Sequence, residues 1–395
     1  MMRSGLLPGA ESNTAIEPTR RYYLDWLRVL AMLSIFFFHN HRFFDDHFWH
    51  IKNAVTGLGS TIFVQFFNHW MMPLFFVISG AAVYYSLSLR GAGKFIKERS
   101  LRILIPLIFG IFVVAPPQVY LERLTNLQFS GSFFHFFPHY FDGLYGFGGN
   151  FAFVGMHLWY LFDLFIFSLV TLPLLLPRKK TERSLISRLS NWFERPGSLV
   201  FLCLPVAIAA MFADWAGLGF TRQMGGWDIF SYLFFFLYGY LVFSNTGIQE
   251  TIKKYGTVAL FAGLVLSACG LVLRFLLNPQ ISFGTPQYAG IMVLKALRAW
   301  CWIIAILSFG SRFLNRKSRF LRYANEAVLP FYIQHQTVIL IIGFYIVQWN
   351  MGIPGKYLFI SSISFAVIMA IYELLIRRIG PLRFVFGMRP KKKIA

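Results

Sequence analysis

Two ionisable residues stand out in the stretch LDWLRVLAMLSIFFFHN, residues 24–40: Arg28 and His39. Eleven steps at roughly 100° each come within about 20° of three full turns, so on a helix the guanidinium and the imidazole share a face. The rise between them is about 16 Å, roughly half the hydrocarbon thickness of a bilayer. Asp25 lies three residues before Arg28 and can pair with it. Ionisable groups at membrane depth are costly and mark sites or pathways. An imidazole titrates near neutral pH, which suits it to take a proton from a hydroxyl. The plainer alternatives are a salt bridge that caps the span for Asp25 and Arg28, and a helix–helix hydrogen bond for His39.

A second cluster is KFIKERSLRILIP, where Arg99 and Arg102 are i,i+3 neighbours with Lys94 and Lys97 just before them. Two guanidinium forks on one face suit phosphate groups. Anchoring at a cytoplasmic membrane surface would place the same residues there. The third element is LPFYIQHQTV, with Tyr332 and His335 again i,i+3 and Glu326 upstream. His69, with Ser79 and Gly80 after it, and His157 with Trp159 are further polar candidates. There is no nucleophile elbow, phosphate-binding glycine loop, dinucleotide fingerprint or HExxH motif, and no metal-ligand spacing. Together the ionisable groups and the basic rim suggest a cavity reached from the cytoplasm.

These residues must be held by membrane helices. Of 395 residues, 57% are hydrophobic and 13% charged, with a mean hydropathy of +0.58. Soluble domains carry roughly 25% charged residues. The fold class is therefore an all-α polytopic membrane protein of about ten transmembrane helices, near 22–41, 60–88, 101–118, 152–176, 198–217, 228–244, 256–277, 287–310, 327–349 and 356–377. Asn68, His69 and Pro73 interrupt the second run; Pro106, Pro116 and Pro117 interrupt the third. Lys and Arg gather in alternate connections, which puts both termini in the cytoplasm. The net charge of +21 is thus topology, and nucleic acid is excluded as a partner. The lipid bilayer is the partner that composition demands, in an integral, multi-pass protein of the inner membrane.

Residues 1–20 read as a disordered cytoplasmic N-terminus, 21–378 as one transmembrane domain and 379–395 as a basic cytoplasmic tail. Cys203, Cys269 and Cys301 read as small buried hydrophobes. The aromatic connection 119–150 reads as a loop hugging the interface or covering a cavity, and LISRLSNWFE as a short amphipathic helix. Nothing in the sequence argues against association into a homo-oligomer. A transporter or exporter of glycans or lipids would use the same ionisable cavity, although transporters are often built from repeated halves and no repeat is visible here.

YLDWLRVLAMLSIFFFHNHRFF, MPLFFVISGAAVYYSL, RSLRILIPLIFG, HLWYLFDLFIFSL and LPFYIQHQTVIL, taken in order, resemble acyltransferase family 3. These are membrane enzymes that O-acylate carbohydrates and other extracytoplasmic acceptors. The resemblance runs from about residue 22 to 388. Its signature of Arg, ten residues, then His is met by Arg28 and His39, and its Arg-x-x-Arg by Arg99 and Arg102. RILIPLIFGIFVVAPPQVYLERL and IRRIGPLRFVFGM are similar to the glucan-biosynthesis-protein-C type, proposed succinyltransferases of periplasmic glucans. The resemblance implies acyl-CoA (succinyl-CoA or acetyl-CoA) as a cytosolic donor, a carbohydrate acceptor outside, and neither bound cofactor nor metal. It implies His39 as catalytic base, with Arg28 assisting, and Arg99, Arg102 and Arg28 as donor-binding residues. Asp25, Tyr332, His335, His69 and Glu326 are expected to support them, Tyr332 as a donor to the developing oxyanion. Direct transfer and a transient acyl-histidine are both compatible with these residues. Many members carry a hydrolase-like domain after the tenth helix; a basic tail stands there instead, so help with the acceptor is expected from elsewhere.

Overall fold

The computed structural model describes residues 21–176, 190–195, 197–277 and 281–390. Within a bilayer each backbone N–H and C=O must be satisfied inside its own segment, so long apolar runs become helices. Here they are α1 (Tyr22–His41), α2 (Leu58–Leu89), α3 (Ala92–Thr125), α4 (Met156–Val170), α5 (Ser198–Trp215), α6 (Ile229–Ser244), α7 (Thr246–Leu277), α8 (Pro286–Phe313), α9 (Arg319–Ile346) and α10 (Ile353–Ile376). Seven of them, α2, α3, α5, α7, α8, α9 and α10, are long and apolar enough to cross a membrane. Helices α4 and α6 are shorter, and α1 carries Asp25 and Arg28. Among the described residues there is no strand, only an isolated bridge between Leu144 and Phe151.

The two runs interrupted in sequence are irregular within their length. α2 breaks at His69 and Trp70, between Leu58–Asn68 and Met71–Leu89. α3 contains two π-helical turns, Ser100–Leu104 and Gly110–Val114. Proline lacks the N–H that would bond the carbonyl four residues back. Pro106 leaves the Arg102 carbonyl without that donor; Pro116 and Pro117 do the same for Phe112 and Val113. Each orphaned carbonyl falls inside a π-turn, so the wide turns stand where the prolines have removed the regular bonds.

Helix α9 is the hub. Of its apolar stretch 72% is buried, against 6% for α7, which lies at the periphery. α9 packs on α1, α10 and the Ala115–Thr125 end of α3, while α7 packs on α8 and α6 on α2. Close approach of α2 and α6 depends on two glycines. A Cβ on Gly80 would stand 1.9 Å from the Phe236 carbonyl oxygen, and one on Gly239 2.0 Å from that of Val77. Such contacts between small residues let membrane helices meet without a hydrophobic driving force.

The aromatic connection begins later than expected, because Leu121 and Glu122 are buried and α3 continues to Thr125. It then folds as a cap: a helical turn Phe133–Phe136, a 3-10 turn Phe137–Phe141, and a small core in which Phe136 and Tyr140 meet Ala115, Val119, Ala152 and Met156. At the other end, α11 (Gly380–Val385) turns the basic tail back on the body. Its Arg383 is buried and donates to Glu326 (3.3 Å) and to the carbonyls of Arg377 (3.1 Å) and Arg389 (2.8 Å). Residues 1–20 and the first half of LISRLSNWFE, 185–189, lie outside the described residues, while 190–193 are helical.

Candidate active site

The face of α1 that carries Arg28 and His39 points inward. Leu30 and Phe37, about 180° and 200° around the helix from His39, are exposed on the opposite side. His39 Nδ1 meets His335 Nε2 at 2.9 Å, and His335 Nδ1 meets its own helix at the Tyr332 carbonyl, 2.6 Å away. A carbonyl only accepts, so His335 Nδ1 carries the proton. With both rings neutral, His335 Nε2 then accepts from His39 Nδ1–H, and the lone pair of His39 is left on Nε2. His335 is fully buried, whereas His39 keeps part of its surface accessible. Trp49, on the connection after α1, lies parallel to the His39 ring at 6.1 Å and 7°.

His157, at the start of α4, is fixed to the same turn of α9. Its Nε2 lies 3.1 Å from the carbonyls of both Tyr332 and Ile333, and the Tyr332 hydroxyl donates to the His157 carbonyl at 2.5 Å. The Tyr332 hydroxyl is therefore engaged in clamping α4 to α9, which differs from the oxyanion role expected of it. Gln118 reaches His157 Nδ1 (3.2 Å) and Thr337 Oγ1 (2.8 Å), and Gln336 donates to Gln118 Oε1 (3.0 Å) and meets His50 Nε2 (3.2 Å). His50 pairs with the buried Glu122, which also accepts from the Tyr145 hydroxyl at 2.7 Å. Burial, then the charge of Glu122, pushes the Tyr145 phenol above its ordinary range. A polar row thus runs from the histidines to the aromatic cap.

On the other side the arginines converge. Arg28 donates to Asp25 (3.3 Å) and to Asn325 of α9 (3.2 Å), and Asn325 donates back to Asp25 (3.2 Å). The expected salt bridge therefore exists, and it is tied to α9. Arg99 is within electrostatic reach of Arg28, Arg90 and Arg102. The π-turn beginning at Ser100 alters the regular i,i+3 relation expected of Arg99 and Arg102. Arg99 lies over the Phe95 ring at 5.0 Å, while Arg102 turns to Glu98 (3.5 Å) and the Gly387 carbonyl (3.3 Å). Among the described residues Arg99 has no carboxylate partner. Tyr160 lies within reach of Arg28 and Arg99, shares a 2.6 Å hydrogen bond with Ser79, and has its ring 5.8 Å from that of Tyr332. Tyr160 and Ser79 thus bridge the arginines and the histidines.

Of the sequence candidates, the fold gathers Asp25, Arg28, His39, Arg99, Arg102, Tyr332 and His335 into this column. Glu326 stands apart, paired with Arg383, and His69 lines a different cavity. Trp49, Asn325, Gln118, Gln336, Tyr160, His50 and Glu122 were not singled out in the sequence. The glutamines could have been: Gln334, His335 and Gln336 are three polar residues together inside an apolar span. No group of three or more His, Cys, Asp or Glu able to hold a metal occurs among the described residues.

Comparison with known proteins identifies the family. The acyltransferase domain model of family 3 matches residues 21–373. Glucans biosynthesis protein C of Escherichia coli (strain K12) is 28% identical over 96% of this chain and 97% of its own length. That of Salmonella heidelberg (strain SL476) is 26% identical over 96% of this chain and 98% of its own. No solved structure matches at the same stringency. A family match over nearly the whole chain, on a helical body with an ionisable interior, leaves one assignment: the chain belongs to acyltransferase family 3 and is a membrane O-acyltransferase.

Proposed function

We propose that the protein moves a succinyl or acetyl group from cytosolic acyl-CoA to a hydroxyl of an extracytoplasmic carbohydrate such as a periplasmic glucan. It does so as a multi-pass inner-membrane protein of ten spans, α1–α10, with both termini cytoplasmic. The alternation of Lys and Arg between connections supports that orientation. The names of the curated relatives support a glucan acceptor.

In this reading the CoA phosphates meet Arg99, flanked by Arg28 and Arg102 at the inner rim. The pantetheine arm passes Tyr160 and Ser79 and presents the thioester to His39, while the acceptor hydroxyl arrives from the capped side. His39 Nε2 takes the hydroxyl proton as the oxygen attacks the thioester carbonyl carbon. Collapse of the tetrahedral intermediate breaks the C–S bond, and the proton on His39 passes to the departing sulfur. The products are an ester and the CoA thiol, with no net proton released. Arg28 lies about 16 Å from His39 along the helix axis, a spacing that suits it to the donor end and not to the reacting atoms. His335 is a positioning residue that fixes the tautomer of His39.

The observation that carries this reading is the His39–His335–Tyr332 hydrogen-bond chain, which leaves a base on the face of α1 shared with Arg28. The test is thiol release by the purified protein from acetyl-CoA and from succinyl-CoA, with and without a glucan acceptor. Acceptor-dependent release that His39→Ala reduces by about 10²- to 10⁴-fold is expected. Normal turnover by His39→Ala would remove the base assignment.

A further inference from the structure

A cavity of about 200 Å³ lies apart from the histidine column, between the first part of α2 and the helices α7 and α8. Its lining includes Gln65, His69, Ser267, Gly270, Arg274 and Arg298, and no carboxylate. The polar groups differ in how well they are served. Ser267 donates to the Gly263 carbonyl (2.7 Å) and accepts from Trp302 (3.0 Å). Arg274 pairs with Asp46 at 2.9 Å. The nearby Lys295 donates to the Gly226 carbonyl at 2.7 Å and lies over the Trp227 ring at 4.2 Å. His69 Nδ1 donates to the Gln65 carbonyl, which leaves Nε2 open. Arg298 has nothing: its Nε is buried without a partner, and it makes no hydrogen bond or ion pair among the described residues.

The guanidinium is also deliberately accommodated. A Cβ on Gly270 would stand 2.1 Å from Arg298 Nη1, so α7 gives up a side chain where the guanidinium lies. Arg298 is twelve residues into α8, roughly 18 Å from its Pro286 end. An unpaired cation at that depth is expensive, and such residues find an anion or face a watered cavity. A planar fork with an imidazole nearby and no competing carboxylate is a receptor for an oxyanion. The cavity adjoins α7, whose Val258, Phe261, Val265 and Leu276 are exposed as lipid-facing residues would be.

The geometry points to a second binding site, in which Arg298, with His69 beside it, holds the phosphate of an organic phosphate ester. That phosphate belongs either to a lipid headgroup or to a soluble ester, and the two sources can be told apart. The full chain, purified in a phosphate-free detergent, is titrated with phosphatidylglycerol, with the phosphate-free digalactosyldiacylglycerol, and with glycerol 3-phosphate. Bound lipid is read by native mass spectrometry and the soluble ester by thermal shift. Arg298→Gln removes the receptor; Gly270→Ala keeps the charge but drives a methyl into its place.

Retention of phosphatidylglycerol, weakened at least tenfold in both variants, supports the site with a lipid as its source. A glycerol 3-phosphate shift lost in both variants supports it with a soluble source. Equal retention of the galactolipid and phosphatidylglycerol would overturn it, leaving only an apolar groove. So would binding that neither substitution changes, or no binding of any probe. Because Arg298 is unpaired, Arg298→Gln is expected to fold with an unchanged or higher midpoint, which keeps the comparison interpretable.

Discussion

Replacing His335 tests the hydrogen-bond chain directly. In His335→Ala, His39 Nδ1 loses its 2.9 Å acceptor, and nothing else fixes which ring nitrogen carries the proton. A neutral hydrogen bond is worth about 0.5–1.5 kcal/mol net, and a buried donor left unsatisfied costs about 1–3 kcal/mol. At about 1.4 kcal/mol per factor of ten, a cost of about 1–3 kcal/mol lowers kcat by roughly 5- to 140-fold. The KM for acyl-CoA should hold, since His335 lies away from the arginines. His335→Gln can present Oε1 near the position of Nε2 and accept from His39, so it should recover part of the rate. The double variant carries the sharpest information. If His335 acts only through His39, then His335→Ala costs nothing further in a His39→Ala background. Thiol release under saturating acyl-CoA measures the parent and the four variants, and a monodisperse elution profile shows that each is folded. Two results would refute the reasoning: multiplicative losses in the double variant, or a His335→Ala enzyme as fast as the parent.

Arg99→Gln should raise the KM for acyl-CoA by about 10- to 100-fold, the worth of one charge-assisted contact, and the difference should shrink at high salt. A KM unchanged in steady-state kinetics would reduce Arg99 to a membrane anchor. Gly239→Ala gains up to about 1 kcal/mol of helix propensity but puts a methyl 2.0 Å from the Val77 carbonyl, so a net loss of about 1–3 kcal/mol is expected as a lower melting midpoint. Asp45 is fully buried between Arg42 and Lys52, with Lys52 Nζ 2.5 Å from its carboxylate. Asp45→Ala strands both cations and should cost about 3–5 kcal/mol; an unaltered thermal unfolding curve would count against that pairing.

Helical periodicity gave the inward face of α1, because Arg28 and His39 are related by local geometry alone. It could not give His335 as the partner of His39, a contact spanning 296 residues of chain. The same holds for the clamp between His157 and Tyr332 and for the Asn325 bridge: each is set by which helices neighbour one another, which no single span encodes. The sequence marked α2 and α3 as irregular through their prolines and polar residues, but the regular spacing assumed for Arg99 and Arg102 failed at the π-turn. Aromatic content in the connection after α3 pointed to a loop hugging the interface or covering a cavity; the small core that its Tyr140 and Phe136 form with Ala115, Val119, Ala152 and Met156 was not legible there. Seven helices meet the length and hydropathy of a span; α1, α4 and α6, legible in the sequence as apolar runs, fold as helices that are shorter or carry charged residues.

The two π-turns of α3 have a consequence for how this scaffold can vary. In an ordinary α-helix, gaining or losing one residue swings everything beyond it by about 100°. A wide turn is a place where that change is already stored. Single-residue insertions or deletions at Ser100–Leu104 could re-aim Arg99 and Arg102 while leaving Gln118 and Glu122 in register with α9. Variation at Gly110–Val114 could do the reverse. The two ends of the polar column could then diverge separately along one continuous helix, which under the proposed function offers a route to new donors without rebuilding the acceptor side.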